Sequence, residues 1–93
     1  MKRNAEKTGI YDYDEDNAKA LIGRLFREIT GRSSKELTIV YDDFSYKVIL
    51  NKKESFVTRG LFETYYKCYS DRAQREYVIA QIKNKIRSLI DSE

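Results

Sequence analysis

The sequence predicts a single small α+β domain of the order helix, two- or three-stranded antiparallel sheet, then two helices. Three observations carry that expectation. Apolar residues recur at helical spacing in two long segments, one towards each end of the chain. Between them, apolar and polar residues alternate at the period of a strand buried on one face. The length of 93 residues suits one domain and not two. Charged residues make up 35% of the chain and hydrophobic ones 41%, but the latter are periodic, which marks a folded chain with a thin core rather than a disordered one.

Residues 1–10 are polar, end at Gly9-Ile10 and read as a loose tail, leaving residues 11–93 as the domain. Asp14 to Thr30 reads as the first helix. Ala18, Leu21, Ile22, Leu25 and Ile29 fall on one face, and Lys19, Arg24, Arg27 and Glu28 mostly take the solvent side. Asp14, Glu15 and Asp16 suit its positive N-terminal end, and Gly31 stands where a left-handed cap belongs. Leu37 to Asn51 reads as a hairpin turning at Asp42-Asp43. That turn sets Tyr41 opposite Phe44, Ile39 opposite Tyr46 and Leu37 opposite Val48, all on one face with Leu50. The other face then carries Thr38, Val40, Ser45, Lys47, Ile49 and Asn51.

Residues 52–59 admit two readings. Ser55-Phe56-Val57-Thr58 suits a short edge strand; alternatively, Ser55 caps a helix with Val57, Leu61, Tyr65 and Cys68 on one face. Gly60 would weaken that helix, which favours the strand, with helix under way by Leu61. Ser70-Asp71 starts the last helix, with Gln74 placed as a capping-box partner. Its apolar stripe is Val78, Ile79, Ile82, Ile86, Leu89 and Ile90, and Ala73, Tyr77 and Ala80 make a smaller patch on its back.

The chain has no histidine, tryptophan or proline, and its single cysteine, Cys68, has no partner. This inventory lacks a side chain that titrates near neutrality unperturbed, the usual zinc ligand sets, and the base of a nucleophilic triad. Cys68 reads as a small buried hydrophobe. No glycine loop for phosphates is present, so neither enzymatic activity nor a cofactor is expected. Asp12-Tyr13-Asp14-Glu15-Asp16-Asn17 opens like a calcium loop, but Asn17 stands where glycine is needed and Gly23 where a bidentate glutamate is needed. No metal is expected there.

Two sets of residues remain for binding a macromolecule. The acidic set is Asp12, Asp14, Glu15 and Asp16, interleaved with Tyr11 and Tyr13, together with Asp42 and Asp43. Such a strip imitates the charge of a short phosphate backbone and would fit a basic groove on another protein. The plainer account is that helix starts attract acids. Tyrosine occurs eight times. Tyr65, Tyr66 and Tyr69, with Leu61 and Phe62, crowd one short helix; Tyr65 is expected to pack, and Tyr66 or Tyr69 to be partly exposed for contact. The basic set is Lys47, Lys52 and Lys53 at the sheet, and Arg72, Lys83, Lys85 and Arg87 on the last helix. Beside exposed tyrosine these would track a nucleic-acid backbone. The net charge of +3 is only a weak bias toward that reading.

Leu37-Thr38-Ile39-Val40-Tyr41-Asp42-Asp43, then Tyr46-Lys47-Val48-Ile49-Leu50, then Glu54-Ser55-Phe56-Val57, resembles the core of small type II-A anti-CRISPR proteins of Gram-positive prophages. The likeness covers about a third of the chain, in generic strand residues. It implies a leading helix, a short antiparallel sheet and two helices. It also implies an inhibitor that binds an RNA-guided nuclease, alone or with its nucleic acid, and blocks DNA entry. Those inhibitors are strongly acidic, whereas this chain is basic, so mimicry would rest on the acidic set alone. The bias toward Lys, Ile, Tyr and Asn suits a low-GC bacterium or its phages.

The expectation is therefore a small non-enzymatic binding protein of a phage or mobile element that masks a surface of a host nuclease. The alternative is a small basic nucleic-acid-binding accessory or regulatory protein. Protein, and in the alternative nucleic acid, are the expected partners, with the chain monomeric or paired through Ala73, Tyr77 and Ala80. No apolar run suits a secretory signal or a membrane span, which points to the cytoplasm. Reversing charge at Asp12, Asp14 and Asp16 together is expected to abolish inhibition while leaving the fold intact.

Overall fold

The computed structural model describes residues 14–67 and 70–91. The chain forms helix α1 (Glu15–Thr30), a 3-10 turn (Ser34–Glu36), strands β1 (Thr38–Asp42), β2 (Ser45–Leu50) and β3 (Lys53–Thr58), and helices α2 (Arg59–Lys67) and α3 (Arg72–Asp91). The strands make one antiparallel sheet in the order β1-β2-β3. This is the α+β arrangement that the periodicity anticipates.

Asp14 is the cap of α1 rather than its first turn. Its Oδ1 accepts the amides of Asp16 at 2.7 Å and Asn17 at 3.2 Å. At the other end Gly31 takes φ 73° and donates its N–H to the Arg27 carbonyl at 2.8 Å, closing the helix. The chain then doubles back so tightly that a Cβ on Gly23 would stand 3.0 Å from the Ser34 Cβ. Asp71 caps α3 by accepting the Gln74 amide at 3.2 Å.

The sheet register differs from expectation by two residues. Tyr41 pairs with Tyr46, and Ile39 with Val48, because the turn falls at Asp43-Phe44 rather than Asp42-Asp43. Asp43 takes φ 53°, a conformation that aspartate tolerates better than most residues. The slipped register also brings the Tyr41 and Tyr46 rings to a centroid distance of 4.9 Å. A shift of two preserves parity, so the expected inner face is correct except at Phe44, which sits in the turn and is 77% exposed. Residues 53–58 are a strand, and α2 follows it without a linker. The β2–β3 turn is Asn51-Lys52, both at positive φ, as a type I′ turn requires.

One core joins all the elements. Tyr46, Val48, Leu50 and Val57 from the inner sheet face meet Ala18, Leu21, Ile22, Leu25 and Phe26 of α1, Phe62, Tyr65 and Tyr66 of α2, and Val78, Ile82, Ile86 and Leu89 of α3. Tyr46 is fully buried, with the Phe62 ring edge-on at 4.9 Å. The helices thus occupy one side of the sheet and leave the other side open.

Candidate binding surface

The open side of the sheet is built by strand pairing. Val40 stands opposite Lys47 on β2, and Lys47 opposite Phe56 on β3. Alternation turns these three away from the core, with Thr38, Ile49 and Glu54 in the row on one side and Asp42, Ser45 and Thr58 in the row on the other. Val40 is 43% exposed and Phe56 49%, and Lys47 is half-buried between them. The middle of the face is therefore a cation flanked by two accessible apolar side chains. Val40 and Lys47 are on the face the sequence predicts for them; Phe56 beside them was not foreseen, although the alternation Ser55-Phe56-Val57 was the signal: with Val57 buried, Phe56 must point outward.

Beside the face, at the hairpin tip, Phe44 borders a shallow hollow with Thr58, Arg59, Gly60 and Glu63. The Arg59 amide donates to the Phe44 carbonyl at 2.7 Å, tying the start of α2 to the turn. The Arg59 guanidinium donates to Tyr41 Oη and to Glu63 Oε2, each at 3.0 Å. These partners, Tyr41 foremost, hold its pKa above the ordinary arginine value, so it stays charged.

The acidic set is not a continuous strip in the described residues. Asp12 lies outside them, as do Tyr11, Tyr13, Cys68 and Tyr69. Asp14 is engaged in capping, Glu15 pairs with Lys19 at 3.0 Å, and Asp16 is exposed. Asp42 ends β1 and Asp43 forms its turn, both exposed at the hairpin tip. Among the described residues no group of three or more carboxylate or thiol side chains is placed to hold a metal ion.

Tyr66 corrects an expectation. It is only 7% exposed and packs edge-on against Tyr65, ring centroids 4.9 Å apart. Phe62, Tyr65 and Tyr66 share one helix face at spacings of three and four, and α2 turns that face into the core. Tyr66 therefore offers no surface to a partner. Among the described residues the exposed aromatics are instead Phe44, Phe56 and Tyr77, the last on the α3 patch with exposed Ala73 and Ala80.

The basic set does not converge on one surface. Lys47 is on the outer sheet face, Lys52 is in the β2–β3 turn, and Lys53 takes the opposite pleat, paired with Leu50. Arg72 binds Glu76 at 2.8 Å, which raises its pKa. Lys83 lies 4.0 Å from Glu28 of α1, and Lys85 and Arg87 are exposed further along α3. Because α3 packs on the inner side of the sheet, its cations and Lys47 lie on opposite sides.

Comparison with models of protein families, with characterised proteins and with solved structures finds no match to this chain. Among the described residues no helix is long and apolar enough to cross a membrane.

Proposed function

We propose that the chain is a non-enzymatic binding protein that covers a surface of a larger assembly through the outer face of its sheet. The Val40–Lys47–Phe56 row supports this most. It sets two exposed apolar groups and a cation on three paired strands, so little conformational entropy is lost when they are covered. Full burial of such a side chain is worth about 1.5–3 kcal/mol, and Phe56, already half covered, retains roughly half of that for a partner. Accessible aromatic groups ringed by polar residues are also the usual anchors of interfaces.

The partner we propose is an RNA-guided nuclease of a bacterial host, engaged alone or with its nucleic acid, which makes the chain an inhibitor carried by a phage or mobile element. The resemblance of the three strand segments is what supports that choice. The test is a cleavage assay with a purified, guide-loaded type II-A nuclease. Added protein is expected to block cutting of a target duplex, and the double variant Val40→Ser/Phe56→Ser, with an unchanged melting temperature, to restore it. Undiminished cutting at saturating protein would remove the nuclease as partner. The rival reading, a nucleic-acid-binding accessory protein, is favoured by Lys47 beside the Phe56 ring, since stacking and charge together hold single strands. It requires a mobility shift at low salt that Phe56→Ser weakens.

A further inference from the structure

A groove of about 270 Å³ lies beside α1, lined by Lys19, Ala20, Gly23, Arg24 and Arg27 of the helix, Ser34 of the 3-10 turn and Ile39 of β1. Two features of its walls bear on what would fill it. The first is β1 itself. Among the described residues it pairs on one side only, with β2. Exposed edges are normally guarded by charge, proline or a bulge. The other edge strand, β3, opens with Lys53 and Glu54, whereas β1 runs Thr38-Ile39-Val40-Tyr41 before its first charge at Asp42. It is an unguarded template for another strand. The second feature is charge. Lys19, Arg24 and Arg27 border the groove beside Ala20, whose small side chain leaves it open, and Gly23, on which Ser34 closes from the other side.

We infer that β1 accepts an extended acidic segment of a partner protein, which adds a strand to the sheet and turns alternate carboxylates into the α1 groove. This rests on the reading of the chain as a protein-binding module, but it uses a different surface from the outer face. The geometry suits it. Ile39 belongs to the inner pleat and borders the groove, so side chains of an added strand on that same pleat would face α1. From Lys19 to Arg27 the helix rises about 12 Å at about 1.5 Å per residue. Alternate residues of a strand are about 7 Å apart, so two or three carboxylates at every second position span that length. The local charge favours carboxylates over a run of phosphates. Lys19 already has Glu15 at 3.0 Å and Arg24 has Glu28 at 3.6 Å, while Arg27 has no acidic partner among the described residues. The surplus is small, and a nucleic-acid backbone is held by many uncompensated cations. The two existing pairs are exposed and hold weakly, so a docking carboxylate can displace them.

The test uses the full chain and three labelled probes: a dodecapeptide alternating Asp and Val, its counterpart alternating Lys and Val, and a twelve-nucleotide single-stranded RNA. Anisotropy should show the Asp peptide binding at least tenfold more tightly than the other two. Hydrogen exchange should slow at those amides of Thr38–Asp42 that point away from β2. Arg24→Glu/Arg27→Glu should reverse the preference between the two peptides, and Arg27→Gln should weaken the Asp peptide alone. The reversal cannot arise from misfolding. Equal binding of the two peptides, unaltered exchange in β1, or tighter binding of the RNA would each overturn the inference. Phe56→Ser, on β3 at the far edge of the sheet, should leave peptide binding intact, so failure here and failure of the outer-face reading are told apart.

Discussion

Asp14, read from the sequence both as favouring a helix start and as a candidate contact, is the cap of α1. Its carboxylate accepts two amides of the first turn, so it cannot be changed without cost to the helix. Asp14→Ala is expected to lower stability by about 1 kcal/mol, measured by urea denaturation. The charge reversal at Asp12, Asp14 and Asp16 would therefore not leave the fold untouched. Asp16 with Asp42 and Asp43, all exposed, is the cleaner set for testing acidic mimicry. The glycines allow an opposed pair of predictions at the same scale. Gly60 is in the first turn of α2 with nothing within 4 Å of where a Cβ would go, so Gly60→Ala should stabilise by about 0.5–1 kcal/mol. Gly31 is equally uncrowded but holds φ 73°, so Gly31→Ala should destabilise by about 1 kcal/mol or more. Equal effects at the two sites would mean that backbone conformation does not decide them.

At the scale of elements, what the sequence made legible was parity and what it hid was register. The apolar stripes of α1 and α3 and the inner face of the sheet follow from periods that side chains must obey. Where a hairpin turns is decided by a few residues, and neither turn here contains glycine. Asp43 and the pair Asn51-Lys52 adopt positive φ without it, so the usual turn signal was missing. The same gap left residues 53–58 open between strand and helix, and with them the Val40–Lys47–Phe56 row. The α1 groove had a fainter signal: Lys19, Gly23 and Arg27 recur at intervals of four, but what faces them depends on how the chain folds back at Ser34. Tyr66 was hard to orient because it stands at the border of the apolar face of α2, between Phe62 and the polar row Arg59, Glu63 and Lys67; Tyr69, the other residue expected to be exposed, lies outside the described residues. The second turn offers its own test. Lys52 at φ 69° carries strain of about 1–2 kcal/mol, and glycine would relieve it at an entropic cost of about 0.5–1 kcal/mol. Lys52→Gly should therefore stabilise the protein modestly, by about 0.5–1 kcal/mol in chemical denaturation. A loss of stability would mean that the lysine makes a contact outweighing its backbone strain.

For the molecule as a whole, the question is whether a surplus of three positive charges is organised into a footprint. It is not gathered on one side. Lys47 is on the open face of the sheet, Lys53 takes the other pleat, and the α3 cations belong to the layer behind. Five of the arginines and lysines, Lys19, Arg24, Arg32, Arg59 and Arg72, are also matched by a glutamate four residues away along the chain. A single strand lying on the open face can reach Lys47 and, at the end of the sheet, Lys52, and no others of the basic set. Each phosphate contact contributes about 0.7 to the slope of log K against log salt for single strands, so two contacts give a slope no steeper than about −1.4. A titration of single-stranded DNA from low to moderate salt should return that shallow dependence. Lys83→Ala/Lys85→Ala/Arg87→Ala should leave the slope unchanged, while Lys47→Ala should flatten it by about half. A slope near −5, sensitive to the α3 substitutions, would mean that nucleic acid wraps both sides of the molecule. The open sheet face would then be one part of a larger polyanion track, and the masking of a protein surface would no longer describe how the chain works.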